Sequence, residues 1–242
     1  MGHYSKEQIQ RLRFRHRGYF VLLVNKLLFL LLLPLAVQYP FFLSVLLISL
    51  AVVLMGFVVR YSRIKRQIRW LYALGFLAIA LEVLWHLALV FLPAFGHWLT
   101  LPHVLVWTVF FFANVLWMIQ SLIREPFVTV AVVMGAAQGY LLIGIAGGVL
   151  LNAALELHPS AFDLSELTQG DPAALAGGGA LAVERYAPVL MAASFNLLTT
   201  VGSGVMNSAD VTSQVIVTVI TVSGQLYVAI LISLILGRFH TR

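Results

Sequence analysis

One stretch of this 242-residue chain carries side chains and spacing suited to chemistry: Ser194-Phe195-Asn196-Leu197-Leu198-Thr199-Thr200-Val201-Gly202-Ser203-Gly204. It contains no acid, base or thiol, so its chemistry is that of oxygen dipoles. Glycines at 202 and 204 permit positive φ, which lets successive main-chain carbonyls point to one side. Four copies of Thr200-Val201-Gly202-Ser203 around an axis would stack rings of carbonyl oxygens, with the Thr200 hydroxyl closing the inner end. Such rings replace the hydration shell of a dehydrated monovalent cation.

The elements that must position this stretch are membrane helices. Of the chain, 61% is hydrophobic and only 10% charged, more apolar surface than a soluble domain of this length can hide from water. A helix needs about 20 apolar residues to cross a bilayer. Six such runs occur, approximately Gly18 to Gln38, Pro40 to Val59, Trp70 to Pro93, Trp98 to Leu122, Phe127 to Leu157 and Thr212 to Leu236. A seventh apolar piece, Tyr186 to Thr199, reaches only about 20 Å as a helix and is too short to cross. A short helix followed by Gly-Ser-Gly and then a full span predicts a re-entrant loop. Irregular backbone at membrane depth is tolerated only inside protein or against a water-filled cavity. The negative C-terminal dipole of the short helix also favours a cation below it.

The net charge of +6 is a topology signal and argues for no nucleic-acid partner. Lys6, Arg11, Arg13, Arg15 and Arg17 precede the first span; Arg60, Arg63, Lys65, Arg66 and Arg69 separate the second from the third; Arg124 follows the fourth, and Arg238 and Arg242 follow the sixth. Every second connection is thus basic, which predicts a multi-pass cell-membrane protein with both termini cytoplasmic. Residues 1–17 read as a basic amphipathic segment on the anionic inner leaflet. Glu156, Asp163, Glu166, Asp171, Glu184 and Asp210 cluster between the fifth and sixth spans, where negative charge concentrates cations.

At this point the resemblance becomes specific. Thr199-Thr200-Val201-Gly202-Ser203-Gly204 resembles the potassium-channel filter signature Thr-Thr-Val-Gly-Tyr-Gly. Ser194-Phe195 is similar to the pore-helix end of small prokaryotic members of that superfamily. Ser223-Gly224-Gln225-Leu226-Tyr227-Val228-Ala229-Ile230-Leu231-Ile232 resembles their inner helix. The likeness spans roughly Phe127 to Gly237 and is sharp from Ser194 onward. It implies an all-α integral membrane protein: six transmembrane helices plus a re-entrant pore helix and filter loop, a homotetramer around a central pore. It implies a pore domain over 125–242, with outer helix 127–157, extracellular turret 158–184, pore helix 186–199, filter 199–204 and inner helix 212–236. It implies that Thr199, Thr200, Val201, Gly202, Ser203 and Gly204 bind the permeant ion, that Ser194, Phe195 and Asn196 support the filter, and that Gly224 is a gating hinge. Potassium, with sodium as competitor, is the permeant ion; no cofactor and no enzymatic step are implied.

Three departures set an expectation. Ser203 stands for tyrosine, Val205 for aspartate and Leu197 for threonine. Serine keeps the carbonyl but loses the ring that braces the wall, which predicts relaxed discrimination against sodium. The amide of Asn196 is the first candidate to brace it instead.

Residues 18–124 resemble, in helix number and position, a voltage-sensor domain. The span from His103 to Leu122 contains no lysine or arginine, so it lacks the charges that a membrane potential moves. A scaffold is expected. Lys26, Glu82 and His86 are ionisable groups inside spans, costly unless paired; a Lys26–Glu82 pair between the first and third spans is expected, with proton sensing the less favoured role. Small residues at Gly135, Gly139, Gly144 and Gly148 predict close packing of the fifth span on the short helix and the sixth span.

Two other classes fit less well. An intramembrane serine protease of the rhomboid type needs Gly-x-Ser-Gly, and position 201 is valine; it also needs a histidine on a later span, and the sixth has none before His240. A secondary transporter would carry broken helices in both halves, and only the second half has one.

Overall fold

The computed structural model describes residues 6–61, 65–123, 129–163 and 180–239. Among them the chain is all-helical: α1 Lys6–Gln38, α2 Phe41–Tyr61, α3 Lys65–Phe91, α4 Pro93–Ile123, α5 Val130–Leu157, α6 Ala180–Leu198 and α7 Val211–Phe239, with a 3-10 turn at Pro159–Ala161. Among the described residues the one extended pairing is an antiparallel bridge between Phe162 and Met206. Six helices, all but α6, are long and apolar enough to cross a membrane. A helix satisfies its own backbone polar groups, which is why lipid-exposed spans take this form. This is a multi-pass membrane protein.

From Lys6 the basic segment is one continuous helix with the first span. The short helix begins at Ala180 rather than 186 and ends at Leu198, so the loop before it is shorter than 158–184. Within that loop 164–179 lie outside the described residues, as do 124–128, where the fifth span was expected to start.

Successive helices α1 to α4 are joined by very short connections and run antiparallel. Both α1 and α4 lie along α5, which also carries α6 and α7. One hydrophobic cluster runs from Tyr19 and Phe29 through Trp107, Phe110 and Phe111 to Leu142, Leu151, Leu190 and Ile220.

The central place of α5 follows from its small residues. Gly144 lies against the Phe195 ring, Gly147 against Ser194 and Ile220, Gly148 against Met191, and Gly139 against Tyr227. A Cβ at Gly148 would stand 2.9 Å from the Cα of Met191. Removing side chains lets backbones approach where lipid provides no hydrophobic drive. Of the four glycines expected to seat α6 and α7, Gly139, Gly144 and Gly148 do so, whereas Gly135 lies against Leu122 of α4 and Tyr19 of α1.

Candidate functional site

The short helix α6 stops part-way along its neighbours. Its last residues meet the middle of α5, where Ser194 Oγ donates to Gly144 O at 2.8 Å. They also meet α7 between Thr221 and Gly224. Gly224 lies about 20 Å along α7 from its start, at 1.5 Å per residue. The end of α6 is therefore level with mid-span, and residues 199–210 climb back to the head of α7.

Local hydrogen bonds explain how α6 stops. Thr200 N donates to Leu197 O at 3.0 Å, nested within Val201 N to Asn196 O at 2.9 Å. This is the Schellman pattern, which demands a left-handed residue at its fifth position. That residue is Thr200, with φ 65°. Glycine is the usual occupant, so the β-branched threonine holds strain of about 1–2 kcal/mol. Gly202 follows with φ 87°. Of the two glycines expected to turn left-handed only Gly202 does; Thr200 takes the other turn, because closing the helix requires it there.

Side chains from both flanking helices hold the carbonyl end of α6. Thr221 Oγ1 donates to Leu197 O at 3.1 Å and the Tyr140 hydroxyl to Leu198 O at 3.1 Å. The Tyr227 hydroxyl ties α7 to α5 through Ala136 O at 2.8 Å. The helix-end carbonyls that lack intrahelical partners are thereby used. Asn196 contributes in a different way from that expected. Its main-chain carbonyl, not its amide, receives Val201 N and, at 3.3 Å, Gly202 N. Gly224 is buried, and a Cβ there would stand 2.8 Å from Leu198 O. Its glycine admits the end of α6, and α7 runs unbroken through it.

The other end of the loop is clamped to the turn after α5. Asp163 N donates to Val205 O at 2.9 Å and Asn207 N to Ala161 O at 3.0 Å. Between these anchors the backbone faces outward. Among the described residues, the carbonyls of Thr200, Val201, Gly202, Ser203 and Gly204 accept no hydrogen bond. Thr199, Thr200, Gly202 and Gly204 are exposed, Ser203 is half-buried, and Val201 is 76% exposed.

The same surface continues down α7. Gln214, Thr218, Thr221 and Gln225 follow one another at four, three and four residues, which is one line along a helix. Gln214, Thr218 and Gln225 are exposed. Gln214 Nε2 reaches Ser208 O at 2.9 Å, so the polar line touches the loop at its head and, through Thr221, the end of α6. Beside it Val215, Val219, Val222, Leu226 and Ile230 form an exposed apolar strip.

A second polar cluster lies inside α2, α3 and α4. The Glu82 carboxylate receives Trp107 Nε1 at 2.6 Å and pairs with His103 Nε2 at 2.5 Å, with His86 Nε2 at 3.6 Å. His86 Nε2 in turn lies 2.8 Å from Ser44 Oγ. A cavity of about 40 Å³ adjoins it, lined among others by Ser44, Glu82, His103 and Asn152. Lys26 is not part of this group. It is fully buried and donates to Gln138 Oε1 of α5, while Gln138 Nε2 donates to Met118 Sδ at 2.9 Å. The expected Lys26–Glu82 pair is absent because α1 lies along α2 and α5, whereas α3 lies along α2 and α4.

Sequence reasoning missed Tyr140, Thr221, Asn207, His103 and Gln138. The last two carried a signal, being polar side chains inside apolar spans. Among the described residues no group of three or more histidine or acidic side chains is placed to hold a metal ion. No family model, no curated protein and no solved structure matches this chain.

Proposed function

We propose that this chain is the pore-forming subunit of a tetrameric cation channel that conducts potassium with relaxed discrimination against sodium. One observation carries the reading. Five consecutive carbonyls, from Thr200 to Gly204, accept no hydrogen bond among the described residues, in a loop exposed at every position but half-buried Ser203 and tied to the polar line of α7. A polar surface at membrane depth must meet water or protein. Around a four-fold axis the loop carbonyls form stacked oxygen rings, the polar line of Gln214, Thr218, Thr221 and Gln225 lines the conduit, and the apolar strip beside it packs on the next subunit.

On this reading α6 is the pore helix and 199–204 the filter, with α5 the outer and α7 the inner helix. The C-terminal dipole of α6, aimed at the conduit, favours a cation there. Thr200 and Val201 leave the helix through the Schellman turn, so the inner rings are the best anchored. The outer rings at Gly202 and Ser203 lack an aromatic wall, and fewer dehydrated sites reject sodium less well. The helices α1 to α4 act as scaffold, and α4 carries no lysine or arginine. Both termini face the cytoplasm of a cell membrane, as the basic connections direct.

The test is the purified full chain in planar bilayers, with potassium on one side and sodium on the other. The expected outcome is a cation current that reverses on the potassium-preferring side of zero, short of the value for strict selectivity, and that depends weakly on voltage. Mass photometry in nanodiscs is expected to give a tetramer; a monomer without current would sink the reading.

A further inference from the structure

We infer that Asn207 is the positioning residue that sets ion discrimination in this loop, by fixing the outer rings to the turn after α5. The inference rests on the channel reading above.

Discrimination in an oxygen cage depends on where the oxygens are held. The inner end of the cage is held by α6 itself, with Thr221 and Tyr140 on its last carbonyls. The outer end has no helix to hold it, and Ser203 offers no ring. Asn207 does the holding with every polar group it owns. Its N–H donates to Ala161 O at 3.0 Å. Its Nδ2 donates to Ser160 O at 3.0 Å. Its Oδ1 accepts from Ala209 N at 3.0 Å, and its carbonyl accepts from Asp210 N at 3.2 Å. One residue thus joins the turn after α5, the end of the loop and the lead-in to α7.

The anchor it grips is firm. Pro159–Ala161 is a closed 3-10 turn, with Ala161 N on His158 O at 3.1 Å and Phe162 N on Pro159 O at 3.1 Å. Ala161, Phe162 and Met206 are buried. The two bridge bonds flank Phe162 and Met206, so these face each other as a non-hydrogen-bonded antiparallel pair with Cα atoms about 4.5 Å apart. The seating of α6 and α7 in the glycine face of α5 does not pass through this clamp. Loosening it frees the Ser203 and Gly204 carbonyls while the Thr200 and Val201 carbonyls stay on the helix end. The expected defect is in selectivity and not in assembly.

The experiment compares wild type, Asn207→Ala and Asn207→Asp as full-length tetramers, reading the reversal potential with potassium opposite sodium. Asn207→Ala is expected to lower the potassium-to-sodium permeability ratio about fivefold or more, the scale of the two side-chain hydrogen bonds lost, with single-channel current retained. Asn207→Asp keeps the acceptor for Ala209 N and loses the donor to Ser160 O, so it falls between. The chain has no cysteine, and a non-hydrogen-bonded pair suits a disulfide. Phe162→Cys with Met206→Cys, oxidised in the Asn207→Ala background, is expected to restore the wild-type ratio; reduction abolishes the rescue. A wild type without cation current defeats the channel reading. A conducting wild type whose ratio is unchanged in Asn207→Ala, or, if that variant carries no current, in Asn207→Asp, defeats this inference alone. Amide exchange gives an independent check: the Asp163 and Asn207 amides are protected in wild type and lose protection in Asn207→Ala. Equal exchange in both also overturns it.

Discussion

Two polar regions sit at membrane depth in this chain, and they are satisfied in opposite ways. The Glu82 cluster turns inward: His103 and Trp107 close on one carboxylate, and Trp85 stacks on His103 with ring centres 4.8 Å apart. The end of α6 is satisfied on one side only. Thr221, Tyr140 and the Schellman turn use its helix carbonyls, while the five carbonyls from Thr200 to Gly204 accept no hydrogen bond among the described residues. A polar group in an apolar medium costs several kcal/mol unless partnered. The enclosed cluster meets that cost for the Glu82 carboxylate within one subunit, leaving only His103 Nδ1 and, across the small cavity, Asn152 Oδ1 without a partner among the described residues, and so reads as architecture. The open one leaves it to water, ions or further subunits and so reads as function.

The sharpest way to break this contrast is to remove the enclosed acid. Glu82→Leu leaves the Trp107 and His103 donors facing an apolar side chain. The expected loss is about 3–5 kcal/mol of stability, seen as a large drop in thermal unfolding temperature in detergent. If the variant is as stable as wild type, the cluster is no structural staple.

Next comes the seat of α6. Gly148→Leu forces a side chain onto the Met191 backbone and costs about 1–3 kcal/mol through overpacking. Because the end of α6 moves with it, cation current is expected to fall more than tetramer yield by size-exclusion chromatography. Retained current with reduced stability would place the working surface elsewhere.

A smaller effect is expected from Thr221→Val, which keeps shape and deletes the donor to Leu197 O. Stability falls by about 1 kcal/mol. On the channel reading the inner rings lose a support, so the potassium-to-sodium ratio is expected to drop while expression stays level. An unshifted reversal potential would show that Tyr140 alone suffices.

The smallest change is also opposite in sign. Thr200→Gly relieves the left-handed threonine and is expected to raise stability by roughly 0.5–1 kcal/mol, while removing the hydroxyl at the inner end and weakening conduction. Thermal stability and current moving apart would mark Thr200 as strained for function; both falling together would make it an ordinary helix cap.

Much of this fold is legible in the sequence. Apolar runs of spanning length, the shorter run from Tyr186, the Gly-Ser-Gly after it and the small-residue spacing of α5 are local properties, and local spacing is enough to foresee six helices of spanning length and a shorter one between the last two. Asn207 was invisible because its role depends on Ala161 and Ser160, more than 40 residues earlier in the chain. The partners of Lys26 were misjudged for the same reason.

What the amino-acid order determined by itself is which segments prefer lipid and where the backbone must leave helical geometry, since transfer energies and φ preferences belong to residues and their near neighbours. What only the tertiary structure decided is which helices touch. The glycine face of α5 draws α1, α4, α6 and α7 around it, and that choice sends Lys26 to Gln138, gives Glu82 to His103 and Trp107, and sets Thr200 rather than Gly204 in the left-handed turn. Rotation and pairing of apolar helices depend on shape fit along their whole length, a sum over contacts that no single stretch of sequence contains.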